Sequence, residues 1–272
     1  MPNPGTMIAA EELIRLIGTE KAPRVVDVRR RPAYEASDRV IAGARWRDHR
    51  TADRWGHEVA AGRPVVVYCA HGEQVGISAA SLLRSAGIQA RALSGGFDAF
   101  AAAGGPTIAR AALPPGFEEA PTRWVTRERP KVDRIACPWF VRRFVDPEAA
   151  IHYVHADWVR DAAVELDAIP FDVEGVELTH RGELCSFDAL LDRFGVEDAA
   201  LRRLARIVRG ADTARPDLEP QAAGLLAVAL GVSAAYDDDH EALARGMVVY
   251  DALYAWCRFA AGETHDWVGR TQ

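Results

Sequence analysis

Cys69 is the residue of this sequence with the clearest capacity for chemistry. It directly follows the apolar, β-forming run Val65–Tyr68 and precedes the glycine-bearing stretch AHGEQVG, after which the pattern becomes helical. A thiol at that point lies among converging backbone N–H groups and close to a helix N-terminus, and both stabilise the thiolate form. The same N–H groups would hold an anion. The pattern therefore predicts a nucleophilic cysteine that acts on an anionic substrate.

The loop after Cys69 is predicted to cradle that substrate. Its members are Ala70, His71, Gly72, Glu73, Gln74 and Val75. Gly72 and Gly76 allow the backbone to close tightly without a Cβ clash. We expect Glu73 to face solvent, because a carboxylate turned toward the sulfur would oppose the thiolate. The alternative interpretation of Cys69 is a buried structural cysteine, which is the usual state of a lone thiol.

The first half of the chain has the pattern of an α/β domain. Short apolar runs alternate with helical patterns, at Ala9–Leu16, Arg24–Val28, Val65–Tyr68, Ser78–Ala86 and Ala90–Leu93. Such alternation predicts a parallel sheet covered by helices on both faces. Cys69 would stand at the carboxyl end of one of its strands.

A change in composition divides the chain in two. Residues 104–122 read GGPTIARAALPPGFEEAPT, and their prolines and glycines interrupt regular structure. We predict a first domain at 1–105, a linker at 106–122 that packing partly orders, and a second domain at 123–272. No internal repeat relates the two halves.

The second half is predicted to be an α+β domain that is mostly helical. Ala150–Val154 and Val176–Leu178 have strand composition, and helical patterns dominate after Ser186, a candidate N-cap. Pro138 suits the first turn of a helix that runs to Val145. The apolar run Ala222–Ala235 is too short to span a bilayer and predicts a buried helix.

Two sets of residues in the second half are candidate ligand sites. Lys131, Arg134 and Arg142 surround a predicted helix start and could bind a tetrahedral oxyanion such as sulfate; a solvated basic face paired with acidic neighbours is the alternative. His180 and Glu183 have a spacing that can bind Zn, Mn or Fe, although the same spacing also arises by chance. Asp212 and the run DDDHE could join that metal site only if the fold brings them together.

Composition excludes several classes of protein. The chain has 272 residues, 49% of them hydrophobic, and a formal charge of −6. Such a balance argues against a dedicated nucleic-acid binder, and no segment predicts export or membrane insertion. The four cysteines are scattered without close pairs, which favours reduced thiols and a cytoplasmic protein.

Residues 7–104 resemble the rhodanese domain. The resemblance is carried, in order, by VVDVRRRPAYE, VIAGARW, YCAHGEQ and LSGGFDAF. It implies an α/β fold and a sulfurtransferase that needs no cofactor, forms a persulfide on Cys69 from a small anionic sulfur donor and passes sulfur to a thiol acceptor. Asp27 and Arg29 would support the site structurally. Gln74 stands where many rhodaneses have Arg, and Val75 where Ser is common, so His71 and Arg29 would have to supply positive charge.

Residues 124–267 resemble the C-terminal domain of the ChrB-like chromate-resistance proteins. The matching segments are RPKVDRIACPWFVRRFVDPEA, IPFDVEGVELTHRGELCSFDALL, LARIVRGADT and VYDALYAWCRFAAGETHDW. The resemblance implies that chromate, a tetrahedral dianion like sulfate, is a possible ligand of the basic residues named above. In that family the domain usually follows a different N-terminal partner, so a regulatory role does not transfer automatically. The leading hypothesis is a thiosulfate sulfurtransferase of the rhodanese type coupled to a chromate-resistance domain. The alternatives are a non-catalytic redox or oxyanion sensor and a metal-dependent second domain.

Overall fold

The computed structural model describes residues 4–263, so the end of the second resemblance, including Trp267, lies outside the described range. The elements of the first domain are β1 Met7–Ile8, α1 Ala10–Leu16, β2 Arg24–Asp27, α2 Arg31–Glu35, β3 Arg39–Ile41, β4 Arg45–Trp46, α3 Ala52–Ala60, β5 Val65–Tyr68, α4 Gln74–Ser85, β6 Ala90–Leu93 and α5 Gly96–Ala102.

Five of these strands form a parallel sheet in the order β1-β6-β5-β2-β4. Its central strand β5 is completely buried because both of its faces are covered. Val65 and Val67 pack in the cluster that includes residues of α3 and α4, whereas Val66 and Tyr68 point into the larger core on the opposite face. The predicted α/β fold is confirmed, and Cys69 follows the best-buried strand.

The segment 106–122 was predicted to be a linker, and the structure places a strand in it. Strand β7, Thr107–Ala109, pairs antiparallel with β3. Its middle residue, Ile108, is fully buried. At the end of the strand the N–H of Ala109 donates to the carbonyl of Phe194, at 2.9 Å. The β-branched residues Thr107 and Ile108 thus favour a strand despite the surrounding prolines and glycines. Its pairing with β3 joins the segment to the first domain, and the hydrogen bond to Phe194 joins it to the second.

The second domain is mostly helical, as predicted. Its elements are β8 Arg123–Arg127, α6 Val132–Phe140, β9 Ala150–Val154, α7 Val159–Glu165, β10 Ile169–Pro170, α8 Ser186–Arg193, α9 Ala199–Asp212, α10 Ala222–Ala235 and α11 Asp239–Ala255. The three strands form a parallel sheet in the order β10-β8-β9.

Pro138 lies inside α6, so its predicted position in a first helical turn is wrong. The helix begins six residues earlier, at Val132, and continues into a π-helical turn at Val141–Val145. Proline has no N–H to offer the carbonyl four residues back, that of Arg134. The hydroxyl of Tyr153 donates to this carbonyl instead, at 2.9 Å. A tyrosine from the neighbouring strand therefore supplies the hydrogen bond that Pro138 cannot make.

Other local expectations in this domain need correction. Val176–Leu178 is not a strand: only Leu178 forms a bridge, with Phe171, because the chain turns sharply at Asp172 (φ 51°). Cys185, not Ser186, is the N-cap of α8. Helix α10 is not buried all round, since it packs along one side only and leaves residues such as Val228 about half exposed, at 44%.

The two domains share one hydrophobic core, which continues from the sheet of the first domain into helices α6, α8, α9 and α11 of the second. Gly18 marks a close approach, because a Cβ there would lie 2.5 Å from Tyr254 and 2.6 Å from Phe144. The N–H of Gly43 donates to the carbonyl of Phe144, at 2.7 Å. Between residues 4 and 263, no helix has both the length and the apolar character needed to cross a bilayer.

Candidate functional sites

Cys69 opens into a cleft at the carboxyl end of the first sheet. The cleft has a volume of about 230 Å³. It is lined by Arg29, Arg30, Ala33, Cys69, Ala70, His71, Glu73, Gln74 and Val75. Cys69 itself is 6% exposed and is one of the residues that line this cleft. Of the residues that the structure describes, those lining the cleft all belong to the first domain, and the second domain contributes none.

The loop is held in place by interlocking glycines. The N–H groups of Phe97 and Asp98 donate to the carbonyls of Cys69 and Ala70, at 2.8 and 3.1 Å. The carbonyl of Cys69 lies so close to the start of α5 that a Cβ on Gly96 (φ 60°) would be 2.3 Å from its oxygen. A Cβ on Gly72 would lie 2.3 Å from the backbone nitrogen of Gly95. The backbone of the cysteine loop is therefore fixed against the N-terminus of α5.

The backbone on the cleft side of the thiol is available for a ligand. Within residues 4–263, the N–H groups of Ala70, His71 and Glu73, which line the cleft, have no acceptor paired with them. A Cβ on Gly76, in the first turn of α4, would lie 3.4 Å from Cys69 Sγ. A methyl group at residue 76 would therefore be in van der Waals contact with the sulfur. Unpaired N–H groups around an accessible thiol can bind an anion or stabilise a thiolate.

Asp27 and Arg29 form a buried ion pair beneath the loop. Arg29 Nε donates to Asp27 Oδ2 at 2.9 Å, and the two side chains are 3% and 0% exposed. The hydroxyl of Tyr68 donates to the same carboxylate, at 2.8 Å. Burial raises the pKa of Asp27, and the Arg29 guanidinium opposes that rise. Because its hydrogen bonds go to Asp27, Arg29 supports the cleft wall and leaves little charge for a substrate.

Arg30 is a cation of this cleft that was not predicted from the sequence. Its side chain is exposed, and within the described part of the chain it has no ion-pair partner. His71 was expected to supply charge, but its Nδ1 lies 2.7 Å from Asp98 Oδ2. Gln74 bonds the Ser78 hydroxyl, at 2.9 Å. The clue to Arg30 was the run RRR at 29–31, in which neighbouring residues of an extended chain point to opposite sides.

A second cluster lies in the second domain around His180. Its Nε2 lies 3.0 Å from Asp212 Oδ2 and 3.6 Å from Asp133 Oδ2. A third carboxylate, Asp172 Oδ1, is 3.7 Å away. Glu183, which was predicted to join His180, is not in the cluster: its side chain is exposed, because the chain turns at Gly182 (φ 60°) between them. The fold brings His180 to Asp212, as the metal hypothesis required, and replaces Glu183 with two aspartates.

The cluster stands at the carboxyl ends of the second sheet. Asp172 follows β10, and its carboxylate accepts a hydrogen bond from Arg127, the last residue of β8, at 2.9 Å. His180 and Asp172 line a cleft of about 820 Å³, together with Arg127 and Arg160. Carboxyl ends of parallel strands are a common place for ligand sites. Asp172 adopts the left-handed conformation that a non-glycine residue rarely takes, which also draws attention to this turn.

The carboxylates of this cluster crowd one another. Burial raises the pKa of Asp133 well above its ordinary value, and the charges of Asp212 and Asp172 add to that rise. Burial and the charge of Asp172 likewise raise the pKa of Asp212. The thiols of Cys137 and Cys185 are buried close by, and their pKa values are raised by the same burial and negative charge. Neither thiol is a candidate nucleophile.

The three basic residues predicted to form an oxyanion site do not converge. Lys131 is exposed at the N-cap of α6. Arg134 lies 3.5 Å from Asp172 and donates to the carbonyl of Glu128, while Arg142 donates to the carbonyl of Ala149 at 3.2 Å. Because the two guanidinium groups are engaged in different contacts and the Lys131 ammonium group lies in solvent, the three side chains do not share a ligand site. The run DDDHE begins α11, where Asp238 caps the helix, and takes no part in the cluster around His180.

The parallel sheet, the cysteine loop and the closely packed Gly72, Gly95 and Gly96 define the first domain as rhodanese-like. Comparison with known families agrees. Residues 9–103 match the rhodanese-like domain. Residues 124–257 match the C-terminal domain of ChrB. The chain thus carries a rhodanese-like domain followed by a ChrB C-terminal domain, as the sequence resemblances indicated.

Individual relatives resemble one domain at a time. The protein ChrB of Cupriavidus metallidurans is 36% identical over 134 residues, which are 48% of this chain and 40% of that protein. The rhodanese-like domain of an Anabaena protein is 36% identical, with a TM-score of 0.33, over 37% of this chain and 76% of that one. A rhodanese homologue from Thermus thermophilus is 29% identical, with a TM-score of 0.28, over 34% and 98%. The chain therefore spans less than half the length of its ChrB relative.

Proposed function

We propose that the first domain is a sulfurtransferase that carries sulfur as a persulfide on Cys69, in a protein that acts in chromate resistance. The observation that carries the proposal is the cleft itself. A thiol at the end of β5 opens into a cleft of about 230 Å³, and the backbone N–H groups of Ala70, His71 and Glu73 in the cleft lining are unpaired among the described residues. The rhodanese-like and ChrB domain matches support the two parts of the proposal.

The reaction would proceed in two displacements. The Cys69 thiolate attacks the outer sulfur of thiosulfate or a similar anionic donor, and the bond between the two donor sulfurs breaks. Sulfite leaves with the electron pair, and Cys69 holds the outer sulfur as a persulfide anion. An acceptor thiolate, or cyanide in an assay, then attacks that terminal sulfur and restores the Cys69 thiolate.

The loop stabilises the anions of both steps. The unpaired N–H groups of Ala70, His71 and Glu73, which line the cleft, would stabilise negative charge on the donor and on the persulfide. Arg30 adds a cation at the cleft wall and would attract the donor. Arg29 acts indirectly, by fixing Asp27 and the strand ends beneath the loop.

Sulfur transfer can be measured with thiosulfate and cyanide by following thiocyanate. We expect the wild-type protein to turn over and Cys69→Ser to lose at least about a thousandfold in rate, because the nucleophile is removed. Cys257→Ser is the matched control, since Cys257 is a partly buried cysteine of the other domain. Mass spectrometry should show one added sulfur atom in the wild type and in the control. A Cys69→Ser protein that turned over at the wild-type rate would sink the mechanism.

A sensor that does not turn over is the second candidate. It is favoured by the side chain at position 74, because Gln74 carries no charge and is tied to Ser78. In that case Cys69 would be oxidised, or the cleft would bind an oxyanion, without sulfur transfer. Stoichiometric oxidation of Cys69 by peroxide or chromate, in a protein that accumulates no persulfide from thiosulfate, would favour the sensor.

A further inference from the structure

Asp133 is a buried carboxylate that lacks a partner for one of its oxygens. Its side chain is 1% exposed, and Oδ1 has no hydrogen-bond partner among the described residues. The other oxygen, Oδ2, accepts the N–H of Ser186 at 2.6 Å at the start of α8. A buried carboxylate with an unpaired oxygen is costly unless a cation compensates it.

The protein side chains do not provide that compensation. Asp172 forms ion pairs with two arginines, Arg127 at 2.9 Å and Arg134 at 3.5 Å. Across residues 4–263, the only basic side chain in ion-pair contact with Asp133 or Asp212 is His180. One imidazolium cannot neutralise two carboxylates. A divalent cation held by both carboxylates and a neutral imidazole would balance the charge completely.

The spacing of the donor atoms suits a single ion. One oxygen from Asp133, one from Asp212 and one nitrogen from His180 all lie within 4.8 Å of one another. Ligands held about 2.1 Å from one metal ion stand roughly 3–4 Å apart, and the distances from His180 Nε2 to Asp133 Oδ2 and to Asp212 Oδ2 fit that range. Small side-chain movements would complete the approach.

The cluster is closed on one side and open on the other. Asp133 is sealed in the core, whereas the His180 side chain is 41% exposed and lines the 820 Å³ cleft with Arg127 and Arg160. Three protein ligands with an open side are typical of metal sites that exchange a ligand, in contrast to closed structural sites. The arginines of that cleft would suit an anionic ligand on the open side.

We propose that Asp133, His180 and Asp212 bind one divalent metal ion, with coordination positions open to the cleft that His180 lines. A donor set of two carboxylates and one imidazole suits Mn²⁺ and Fe²⁺ better than ions that prefer thiolates. The site is independent of Cys69, since no residue belongs to both clefts.

The test uses the 272-residue chain without an affinity tag. The protein is stripped with a chelator and titrated with Mn²⁺ while the electron paramagnetic resonance signal of free Mn²⁺ is followed. Wild-type protein should bind one equivalent and gain thermal stability. Asp212→Asn should weaken binding by at least about tenfold, because it removes a ligand at the partly exposed edge of the cluster. Glu183→Gln is the matched control, since Glu183 lies close in sequence but outside the cluster, and should bind as the wild type does.

His180→Asn provides a second variant if Asp212→Asn fails to fold, because the His180 side chain is substantially exposed. Circular dichroism on the stripped proteins checks that each variant is folded. The proposal is wrong if wild-type protein leaves the free Mn²⁺ signal unchanged at millimolar concentrations. It is equally wrong if a folded Asp212→Asn or His180→Asn protein binds Mn²⁺ as tightly as the wild type.

Discussion

Cys69 and Asp172 both follow a parallel strand, β5 in the first domain and β10 in the second. A buried carboxylate lies near each of them, but the two carboxylates differ in their hydrogen-bond partners. Asp27 beneath the cysteine loop has a buried arginine and a tyrosine as partners. Asp133 beside Asp172 has one oxygen without a partner in the described structure. The first site is thus electrostatically complete as folded. The second has the charge imbalance expected of a site that an ion completes.

The largest expected effect comes from making the first site resemble the second. Arg29→Ala leaves Asp27 buried without its cation, and we expect the free energy of unfolding to fall by about 3–5 kcal/mol. Urea denaturation measures this loss. The loss should shrink at acid pH. A carboxyl whose pKa is raised in the folded state destabilises that state only at pH values at which the same carboxyl is ionised in the unfolded chain.

Arg50→Ala serves as the control for Arg29→Ala, because its ion pair with Asp48 lies in solvent. It should leave unfolding unchanged. If Arg29→Ala and Arg50→Ala had the same effect, the buried pair would not be what stabilises the cysteine loop.

The second prediction concerns Gly96, which packs against the backbone of the cysteine loop. Gly96→Ala should lower the free energy of unfolding by about 2–4 kcal/mol and abolish sulfur transfer, since the added methyl group meets the carbonyl of Cys69. Gly104→Ala introduces the same substitution at a similar left-handed φ but in open space, so it should cost only about 1–2 kcal/mol and keep activity. Equal losses in both variants would mean that backbone conformation alone, and not the loop contact, decides the result.

The third prediction separates stability from activity. Gly76→Ala should stabilise the protein slightly, by roughly 0.5–1 kcal/mol, because alanine suits a helix better than glycine. It should also slow persulfide formation about tenfold, because the methyl group would stand 3.4 Å from Cys69 Sγ. Gly231→Ala, in open space on α10, should give the stability gain alone. Thermal melts and the thiocyanate assay distinguish the two effects, and an unslowed Gly76→Ala enzyme would show that the reacting sulfur tolerates this contact.

The smallest effect is expected at Arg30. Arg30→Gln should raise KM for thiosulfate about threefold and leave kcat unchanged, because an exposed charge attracts the donor without touching the reacting atoms. Arg54→Gln removes the same charge from an exposed position outside the cleft and should change neither constant. The difference between the two variants should vanish at high salt; persistence there would indicate a direct contact.

The first site was largely predictable because its parts are neighbours in sequence. Cys69, Gly72 and Gly76 lie within eight residues, and strand, loop and helix follow from local pattern. Arg30 was overlooked because its approach to the cleft depends on how α2 is placed. The second site was only partly predictable. His180 and Asp212 were considered, but Asp133 and Asp172 come from separate segments that only tertiary packing brings together.

Packing also explains the local errors. Pro138 was expected to begin a helix on local grounds, and a hydroxyl from β9 made an interior position tolerable. The apolar run of α10 suggested burial on both sides, but burial depends on what packs against a helix. Residues such as Val228 have no covering element among the described residues.

The contact of Phe144 and Tyr254 against Gly18 has a consequence for how this protein melts. A side chain at residue 18 would push the two halves apart, and neither half retains a complete interior without the other. Heating should therefore produce one calorimetric transition for the whole chain. The two domains should therefore unfold as a single cooperative unit, so that a destabilising mutation in either half lowers the melting temperature of both.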